Sequence, residues 1–363
     1  MKLTCFLRKN SITFLLLVLL SGIQAQEPAG YYSAADGKKA AELKTALHNI
    51  IRPHTQLDYL TSSTYFKTTD WHPATTDYPN GYFWDMYSNI HRTSFSGLNR
   101  EHSLPKSWFG VASGEENSIP MGTDLHNLYP SDATANQNKS NFPIGVVTGM
   151  PDYTNGVVKV GASTSYLPQY SGSVFEPADE YKGDFARDYM YMVTCYEDYS
   201  SRWQSTGTQS MLVGGTYPVF RANAITLLLK WNNDDPVSDK EINRNNAVYK
   251  LQGNRNPFID HPELAEFIWG KYMSSPWKLN GPLPEAPTSL TLRPNPAKSK
   301  MVVKVNKPTE STYYVQNLSG LIVKTGKLAV DSTMTVDELQ NGMYLLIVYT
   351  QSTRKSTKFV VQH

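Results

Sequence analysis

The sequence predicts an α+β protein, with a mostly helical main domain followed by a small all-β sandwich domain. Apolar residues recur at helical spacing in several segments before residue 276, and short alternating runs replace them after residue 290. A proline-rich stretch, residues 276–287, separates the two patterns. We therefore predict a main domain at residues 26–275, a linker at 276–289 and a C-terminal β-sandwich at 290–363.

The N-terminal segment has the pattern of a secretory signal peptide. Lys2, Arg8 and Lys9 precede an apolar run at residues 14–20, and small residues follow it. The run is much shorter than the ~20 residues that a membrane-spanning helix needs. We therefore predict a signal peptide at residues 1–25 and an exported protein.

Cysteine usage excludes disulfide frameworks and cysteine-zinc clusters. Cys5 lies in the predicted signal peptide, which leaves Cys195 as the single cysteine of the mature chain. Cys195 lies in the apolar stretch 189–196, so we predict a buried, inert thiol rather than a reactive nucleophile.

The main domain is predicted to consist largely of helices. Apolar residues at helical spacing indicate a helix over residues 36–51, with Ser33 or Asp36 as its cap. Residues 53–99 are rich in aromatic residues, Pro, Asp and Asn, which favours loops with short strands. Three further helices are predicted near residues 183–196, 217–232 and 239–250.

Short alternating apolar runs predict the strands of the C-terminal domain. They lie at residues 301–305, 313–315, 321–323 and 344–349, and Gly, Asn and Ser separate them.

Three segments of this domain resemble the C-terminal sorting domain of Bacteroidota type IX secretion substrates. They are Arg293-Pro294-Asn295-Pro296-Ala297, Asn341-Gly342-Met343-Tyr344 and Lys358-Phe359-Val360-Val361. The resemblance implies the type IX secretion machinery as a partner and a secreted or cell-surface location. The alternative is a carbohydrate-binding or merely stabilising β-module.

Two polar segments of the main domain contain most of the residues that are suited to catalysis or metal binding. Residues 99–107 contain the adjacent pair Glu101 and His102, and residues 124–141 contain Asn136. A carboxylate beside an imidazole, with a side-chain amide further along the chain, can supply one oxygen-ligated metal and one general base.

The setting of Asn136 also indicates a functional role. Pro130-Ser131-Asp132 has the pattern of a helix N-terminus, which places Asn136 inside the helix, where Asn typically loses roughly 0.7 kcal/mol relative to Ala. A polar residue that breaks a local rule in this way suggests a functional site. The alternative is that Asn136, Asn138 and Asn141 cap or cross-link loops.

The order of these parts resembles the ββα-metal core of the bacterial endonuclease I family, a group of His-Me finger nucleases. The Glu-His pair is followed by a connecting hairpin, then by Asp124-Leu125-His126-Asn127-Leu128-Tyr129-Pro130 and a helix that carries Asn136. Family-like segments continue in the family's order, so the resemblance covers roughly residues 38–272. Those segments are residues 183–187, 235–238, 244–245 and 252–258.

The resemblance implies a sequence-nonspecific endonuclease that hydrolyses DNA, and RNA as an open alternative, and leaves 5′-phosphate ends. His102 would be the general base, and Glu101 and Asn136 would hold Mg²⁺, with Ca²⁺ or Mn²⁺ as alternatives. Neighbouring strand residues point to opposite faces, so we expect the strand to end or bulge at the Glu101–His102 pair.

The residue that neutralises the scissile phosphate is not evident. The better-known family members use an arginine here, but residues 103–123 contain none. Arg100, Lys106 and Lys139 are the candidate substitutes, although Lys is a weaker bidentate partner. Arg255 is a further candidate substrate contact. Internal salt bridges are the equally weighted alternative for Arg187, Arg244 and Arg255.

Other polar and aromatic residues favour structural roles. We expect His126 to be a hydrogen-bonded scaffold histidine, and Asp124 to orient a ligand or cap a helix. An aromatic cluster could stack bases of a single strand, but core packing is the favoured interpretation. The cluster comprises Tyr78, Tyr82, Phe83, Trp84 and Tyr87.

The charge of the main domain does not fit the simplest picture of a nuclease. Residues 26–290 hold 21 Lys and Arg against 28 Asp and Glu, whereas residues 291–363 hold 10 against 4. Phosphate neutralisation supplies much of nucleic-acid affinity, so the site must rely on a local basic surface or on bound metal.

Three other functions are alternatives to this hypothesis. An extracellular ribonuclease of the same fold fits equally well, since the sequence identifies no residue that would recognise the 2′-hydroxyl of RNA. A noncatalytic surface-binding protein is disfavoured because Glu101, His102 and Asn136 are all present. A zinc hydrolase is disfavoured because the main domain has no His-x-x-x-His pair.

Overall fold

A computed structural model describes residues 27–163, 167, 170–203, 208–284, 290–305, 311–318, 320–328, 332–349 and 354–363. The predicted signal peptide and Cys5 lie outside these residues. The chain divides into two compact units with the boundary between Pro282 and Leu283, inside the predicted linker. Helices and small antiparallel sheets form a mixed α+β fold with a β-rich C-terminal region, which confirms the α+β part of the prediction.

The helices of the described residues all lie in the first unit. They are α1 (Ala40–Ile51), α2 (Ser62–Thr69), α3 (Ala133–Lys139), α4 (Lys182–Cys195), α5 (Thr208–Met211), α6 (Ala222–Asp234), α7 (Asp239–Gln252), α8 (Pro257–Asp260) and α9 (Leu264–Ile268). None of them is both long and apolar enough to cross a lipid bilayer.

Short antiparallel strands complete the first unit. They are β1 (Trp71–His72), β2 (Tyr82–Phe83), β3 (Leu98–His102), β4 (Leu128–Asp132), β5 (Tyr153–Thr154), β6 (Lys159–Ala162), β7 (Ser173–Glu176), β8 (Leu212–Gly214) and β9 (Val219–Phe220). Strand β1 pairs with β2, β3 with β4, and β8 with β9, while β5, β6 and β7 form a three-stranded sheet.

Helix α4 lies at the centre of the first unit. Every residue from Gly183 to Cys195 is buried, and α4 packs against α1 and α6. Cys195 is a free thiol with no exposed surface, as predicted. Burial raises the pKa of this thiol well above its ordinary value, which keeps it protonated and inert.

Three helix boundaries show where local sequence and tertiary context agree or compete. Helix α7 begins at Asp239 as predicted, because Ser238 and Glu241 form a reciprocal capping box. Helix α6 begins at Ala222 instead of 217, because Val219 and Phe220 pair as a strand with β8. Helix α2 was not predicted, since its sequence SSTYFKTT is rich in β-branched and aromatic residues with weak helix propensity.

The second unit is built from two antiparallel sheets. One has the order β10 (Leu290–Arg293), β11 (Lys300–Val305) and β14 (Ser332–Thr335). The other has the order β13 (Ile322–Leu328), β12 (Ser311–Gln316), β15 (Gly342–Tyr349) and β16 (Arg354–Val361). Buried and exposed residues alternate along β11, which is the period expected of a strand with one face on a core.

The first residues of the predicted linker belong to the first unit. Trp277 is 1% exposed, and its indole N–H donates to Glu263 Oε1 over 3.2 Å. Its backbone N–H donates to Lys38 O over 2.8 Å, and Gly37 N–H donates to Trp277 O over 2.7 Å. The start of the predicted linker is therefore packed against the first unit through a buried tryptophan.

We expect a chain that ends at Gly281 to keep the stability of the first unit, whereas a chain that ends at Ser275 loses it. Removing the Trp277 side chain from a core typically costs about 3–5 kcal/mol. Thermal unfolding of both truncations, with Trp277→Ala in the longer one, measures the effect. Equal stability of all three chains would show that Trp277 is not part of this core.

Candidate active site

A β-hairpin followed by a short helix brings the predicted site residues together. Strand β3 pairs with β4 so that Leu98 lies opposite Asp132 and His102 lies opposite Leu128. Helix α3 begins directly after β4, and Asp132 caps it by accepting from Thr134 N and Ala135 N over 3.0 and 2.8 Å. This cap fixes the start of the helix and places Asn136 in its interior, as predicted.

A cleft of about 370 Å³ lies at the end of β3. Strand β3 ends at His102, so Glu101 and His102 both reach the cleft, as expected for a strand that stops there. Five of the predicted site residues line it, and Tyr59, which was not predicted, is among the other lining residues. The five are Arg100, Glu101, His102, Lys106 and Asn136.

His102 is held as a neutral imidazole. Its Nε2 lies 2.9 Å from Gly122 O, and a carbonyl oxygen only accepts, so Nε2 carries the proton and Nδ1 keeps its lone pair. Tyr59 stacks on the ring at a centroid distance of 5.9 Å. Burial lowers the pKa of His102 to about 4. The ring can therefore accept a proton through Nδ1 at neutral pH.

Gly122 lets its carbonyl reach His102. A Cβ at this position would lie 2.1 Å from Glu116 O, a contact that a backbone atom cannot yield to. Any side chain at residue 122 would therefore move the carbonyl that orients the imidazole. Gly122 was not among the predicted site residues. The only sign of its role in the sequence was that it is a glycine in the segment that connects β3 to β4.

Glu101 forms a buried ion pair with Lys139. Lys139 Nζ lies 2.5 Å from Glu101 Oε1 and 3.2 Å from His102 O, and Lys139 has no exposed surface. Burial raises the pKa of Glu101, and the neighbouring ammonium opposes that rise. Lys139 is thus committed to Glu101, which does not fit the expected contact with a substrate phosphate.

Asn136 and Asn138 occupy different environments on α3. Asn136 lines the cleft, and no residue that the structure describes forms a hydrogen bond with its side-chain amide. Asn138 instead donates from Nδ2 to Thr134 O over 2.8 Å, on the solvent side of the helix. Of these two asparagines, Asn136 is the one that lines the cleft.

The donor set suits a hard divalent cation. Lys139 engages Oε1 of Glu101, which leaves the second carboxylate oxygen, and Asn136 supplies an amide oxygen. Among the described residues, three or more His, Cys, Asp or Glu side chains nowhere gather at metal-binding distance. Two oxygen ligands fit Mg²⁺, which usually keeps several waters, better than a cation that needs a full protein cage.

Arg100 is fixed at the rim of the cleft. Its guanidinium donates to Leu60 O over 2.6 Å and to Ser62 Oγ over 2.9 Å. The group lies 5.5 Å from the ring centroid of Tyr59 and 5.4 Å from that of Phe95, within the range of cation–π attraction. Lys106, the other cation that lines the cleft, forms an ion pair with Glu116.

Arg255 does not line the cleft. It has no exposed surface, and its Nε and a terminal nitrogen each donate to Asp260 over 2.7 Å. This burial does not fit the expected contact with substrate. Arg187 pairs with Glu241, and Arg244 pairs with Asp70, so the alternative of internal salt bridges holds for all three arginines.

The segment between β3 and β4 is held by buried hydrogen bonds. Asp124 accepts from the hydroxyls of Tyr191 and Tyr196, both over 2.7 Å, and from Gln252 Nε2 over 2.9 Å. Asn127 Oδ1 accepts from Leu104 N over 2.7 Å, two residues after His102. These bonds fix the chain on either side of the imidazole.

His126 is buried outside the cleft. It is 2% exposed, its Nε2 lies 3.3 Å from Asn254 O, and burial lowers its pKa to about 4. This environment fits the scaffold role that the sequence favoured.

Comparison with known proteins gives two family matches and several named relatives. Residues 39–263 match Endonuclease I, and residues 291–362 match the secretion system C-terminal sorting domain. The chain is 38% identical over 250 residues to an extracellular ribonuclease of Bacillus amyloliquefaciens, which covers 66% of this chain and 78% of the relative. It is 36% identical over 248 residues to an extracellular ribonuclease of Bacillus subtilis (strain 168), with the same coverage. An extracellular deoxyribonuclease of Aeromonas hydrophila is 26% identical over 140 residues, which covers 39% of this chain and 50% of the relative.

Proposed function

Since this chain belongs to the endonuclease I family, we propose that it is an exported nuclease in which His102 is the general base and Glu101 and Asn136 hold a divalent metal. The observation that carries the proposal is the meeting of these three side chains in one cleft. Nucleases of this family are generally dependent on a divalent metal, and we propose Mg²⁺, with Ca²⁺ or Mn²⁺ as alternatives.

We propose that β3, β4 and α3 form a ββα-metal core of the His-Me finger type. The antiparallel register of the hairpin, the end of β3 at His102 and the immediate start of α3 after Asp132 support this. In such a core the hairpin would supply the base His102 and the metal ligand Glu101, and the helix would supply the second ligand Asn136.

Each residue has a defined task in the proposed reaction. His102 Nδ1 takes a proton from the water that attacks phosphorus, while Gly122 O holds the imidazole in the required tautomer. Lys139 fixes the carboxylate of Glu101 through one oxygen. Arg100 contacts the phosphate at the rim of the cleft, since its guanidinium is already oriented there. A bound divalent cation would neutralise charge on the scissile phosphate and stabilise the leaving 3′-oxygen.

The substrate class is nucleic acid, and we propose that it includes RNA. The two relatives that carry the name ribonuclease are matched over 78% of their own length. The deoxyribonuclease of Aeromonas hydrophila is matched over 50% of its own length. DNA remains the second substrate, and cleavage is expected to leave 5′-phosphate ends. The sorting domain and the extracellular relatives support secretion or cell-surface attachment through the type IX machinery.

Replacing Asn136 is expected to change the metal requirement of the enzyme. Asn136→Ala removes the amide oxygen and should raise the Mg²⁺ concentration that half-saturates activity by about tenfold or more. Asn136→Asp keeps an oxygen ligand and should retain part of the activity. The measurement is a Mg²⁺ titration of cleavage rate for each variant.

Asn138→Ala is the matched control, because Asn138 lies on the same helix but uses its side chain within it. It should follow the wild-type titration. If the titration shifts for Asn138→Ala and stays unchanged for Asn136→Ala, Asn136 is not the metal ligand and the assignment is wrong.

A further inference from the structure

An exposed stack of three aromatic rings lies on the first unit, away from the cleft. Tyr82 is half-buried between two imidazoles. The His72 ring lies 4.5 Å from it at an interplanar angle of 6°, and the His91 ring lies 4.0 Å from it at 17°. His91 is exposed, so one end of the stack is open to solvent.

The sequence pattern explains why these rings face outward. Strands β1 and β2 form a two-stranded ribbon in which Trp71 pairs with Phe83 and His72 pairs with Tyr82. Phe83 is 1% exposed and packs in the core. Neighbouring strand residues point to opposite faces, so Tyr82 points to the other face of the ribbon. The favoured interpretation of the aromatic cluster as core therefore holds for Phe83 but not for Tyr82.

His91 joins the stack because the chain returns to the ribbon after residue 90. Phe83 N–H donates to Arg92 O over 2.8 Å, which places His91 beside Tyr82. Among the described residues, no group forms a hydrogen bond with the imidazole of His91. The ring is held by stacking on Tyr82 and by the edge of Tyr78 at 5.0 Å between centroids, and His91 remains exposed to solvent.

We propose that the stack of His72, Tyr82 and His91 is a platform on which an unpaired base of the nucleic-acid substrate stacks against His91. This inference rests on the proposed function, because it assigns a substrate contact to the same enzyme. A duplex hides the faces of its bases, so such a platform accepts single-stranded segments. The preferred substrate class is therefore single-stranded RNA or DNA.

The platform is linked to the catalytic hairpin through Arg92. A guanidinium nitrogen of Arg92 lies 2.6 Å from Asp132 Oδ2, at the end of the hairpin opposite His102. Four residue steps along β4 separate Asp132 from Leu128, the partner of His102, which is roughly 13 Å at ~3.3 Å per residue. A stacked strand rises ~3.4 Å per nucleotide, so about four nucleotides span the length of the hairpin, and a slightly longer strand is needed to reach the platform beyond Arg92.

The contacts between the two regions are continuous. Tyr59 stacks on His102 in the cleft, and Arg100 lies between the rings of Tyr59 and Phe95. Phe95 then contacts Phe83 on the ribbon at 5.8 Å between ring centroids. A strand that leaves the cleft past Arg100 would therefore meet the half-buried rings of Tyr59 and Phe95 on the way to the platform, whereas Phe83 connects the two regions inside the core.

The test is a binding measurement on the full mature chain carrying His102→Ala, so that the ligand is not cut. The probe is a labelled single strand of about 12 nucleotides, with its duplex as a second probe. His91→Ala should weaken binding of the single strand by roughly 5- to 150-fold, the effect of losing one stacked base. His91→Phe keeps a ring and should bind within about threefold of the parent.

Tyr349→Ala is the control, because Tyr349 is an exposed ring in the second unit. It should leave binding unchanged, and the duplex should bind equally to all four proteins. Equal binding of the single strand by His91→Ala and its parent overturns the platform, as does a His91→Phe variant as weak as His91→Ala. Failure of the proposed function is seen separately, as wild-type protein that leaves the same strand uncut with Mg²⁺ present.

Discussion

The His102→Ala variant should lose nuclease activity while it keeps its fold. A general base typically contributes ~10²–10⁴-fold, so residual cleavage should fall by that factor. His102 is 4% exposed, its Nε2 donates to Gly122 O, and no other histidine of the described residues lines the cleft. Cleavage rate at saturating Mg²⁺, with circular dichroism and thermal unfolding beside it, separates loss of the base from loss of structure.

His54→Ala is a suitable control for this variant. His54 belongs to the same unit, but its Nε2 lies 3.2 Å from Tyr196 OH, outside the cleft. It should cleave at close to the wild-type rate. Activity of His102→Ala within a few-fold of wild type would remove His102 from the mechanism.

Replacing Lys139 should strongly destabilise the protein. Lys139→Met keeps most of the side-chain volume but leaves the carboxylate of Glu101 buried without its ammonium partner. Removing one partner of a buried ion pair typically costs about 3–5 kcal/mol. The free energy of unfolding, measured by urea titration in EDTA, should fall by that amount.

Magnesium should restore part of the stability that Lys139→Met loses. A cation bound at Glu101 supplies the positive charge that the variant lacks, so Mg²⁺ should raise its melting temperature more than that of wild type. Lys106→Met is the control, because the side chain of Lys106 is 26% exposed and its pair with Glu116 is partly solvated. If Mg²⁺ stabilises wild type and Lys139→Met equally, the metal does not bind at Glu101.

The sequence anticipated the parts of the site that depend on local order along the chain. Glu101, His102 and Asn136 were predicted from their spacing and family resemblance, and all three line one cleft. The Pro130-Ser131-Asp132 cap could be predicted because capping depends on residues next to each other. The same local rules predicted α7, where Ser238 and Glu241 are three residues apart.

Contacts between distant segments could not be predicted. Tyr59 stacks on His102 from 43 residues away, in a stretch that the sequence described only as loops. Lys139 was predicted to contact the substrate phosphate, and its buried ion pair with Glu101 joins segments 38 residues apart, which the sequence does not reveal. The bidentate pair of Arg255 with Asp260 is likewise visible only when burial is known.

The charge deficit of the main domain has a local explanation in the fold. Several arginines and lysines form buried ion pairs, as in Arg187 with Glu241 and Lys44 with Glu197. Of the cations in the cleft, Arg100 is held by neutral oxygens rather than by a carboxylate. Its charge is therefore not cancelled locally, and it can act on a phosphate.

Cleavage by the purified protein of plasmid DNA and of single-stranded RNA, with Mg²⁺ and then with EDTA, tests the central claim most directly. We expect Mg²⁺ to support cleavage into products that carry 5′-phosphate ends, EDTA to stop it, and added Mg²⁺ to restore it. Cleavage that continues at the same rate in EDTA, or no cleavage of either nucleic acid with Mg²⁺, would contradict the assignment of Glu101, His102 and Asn136 as a metal-dependent nuclease centre.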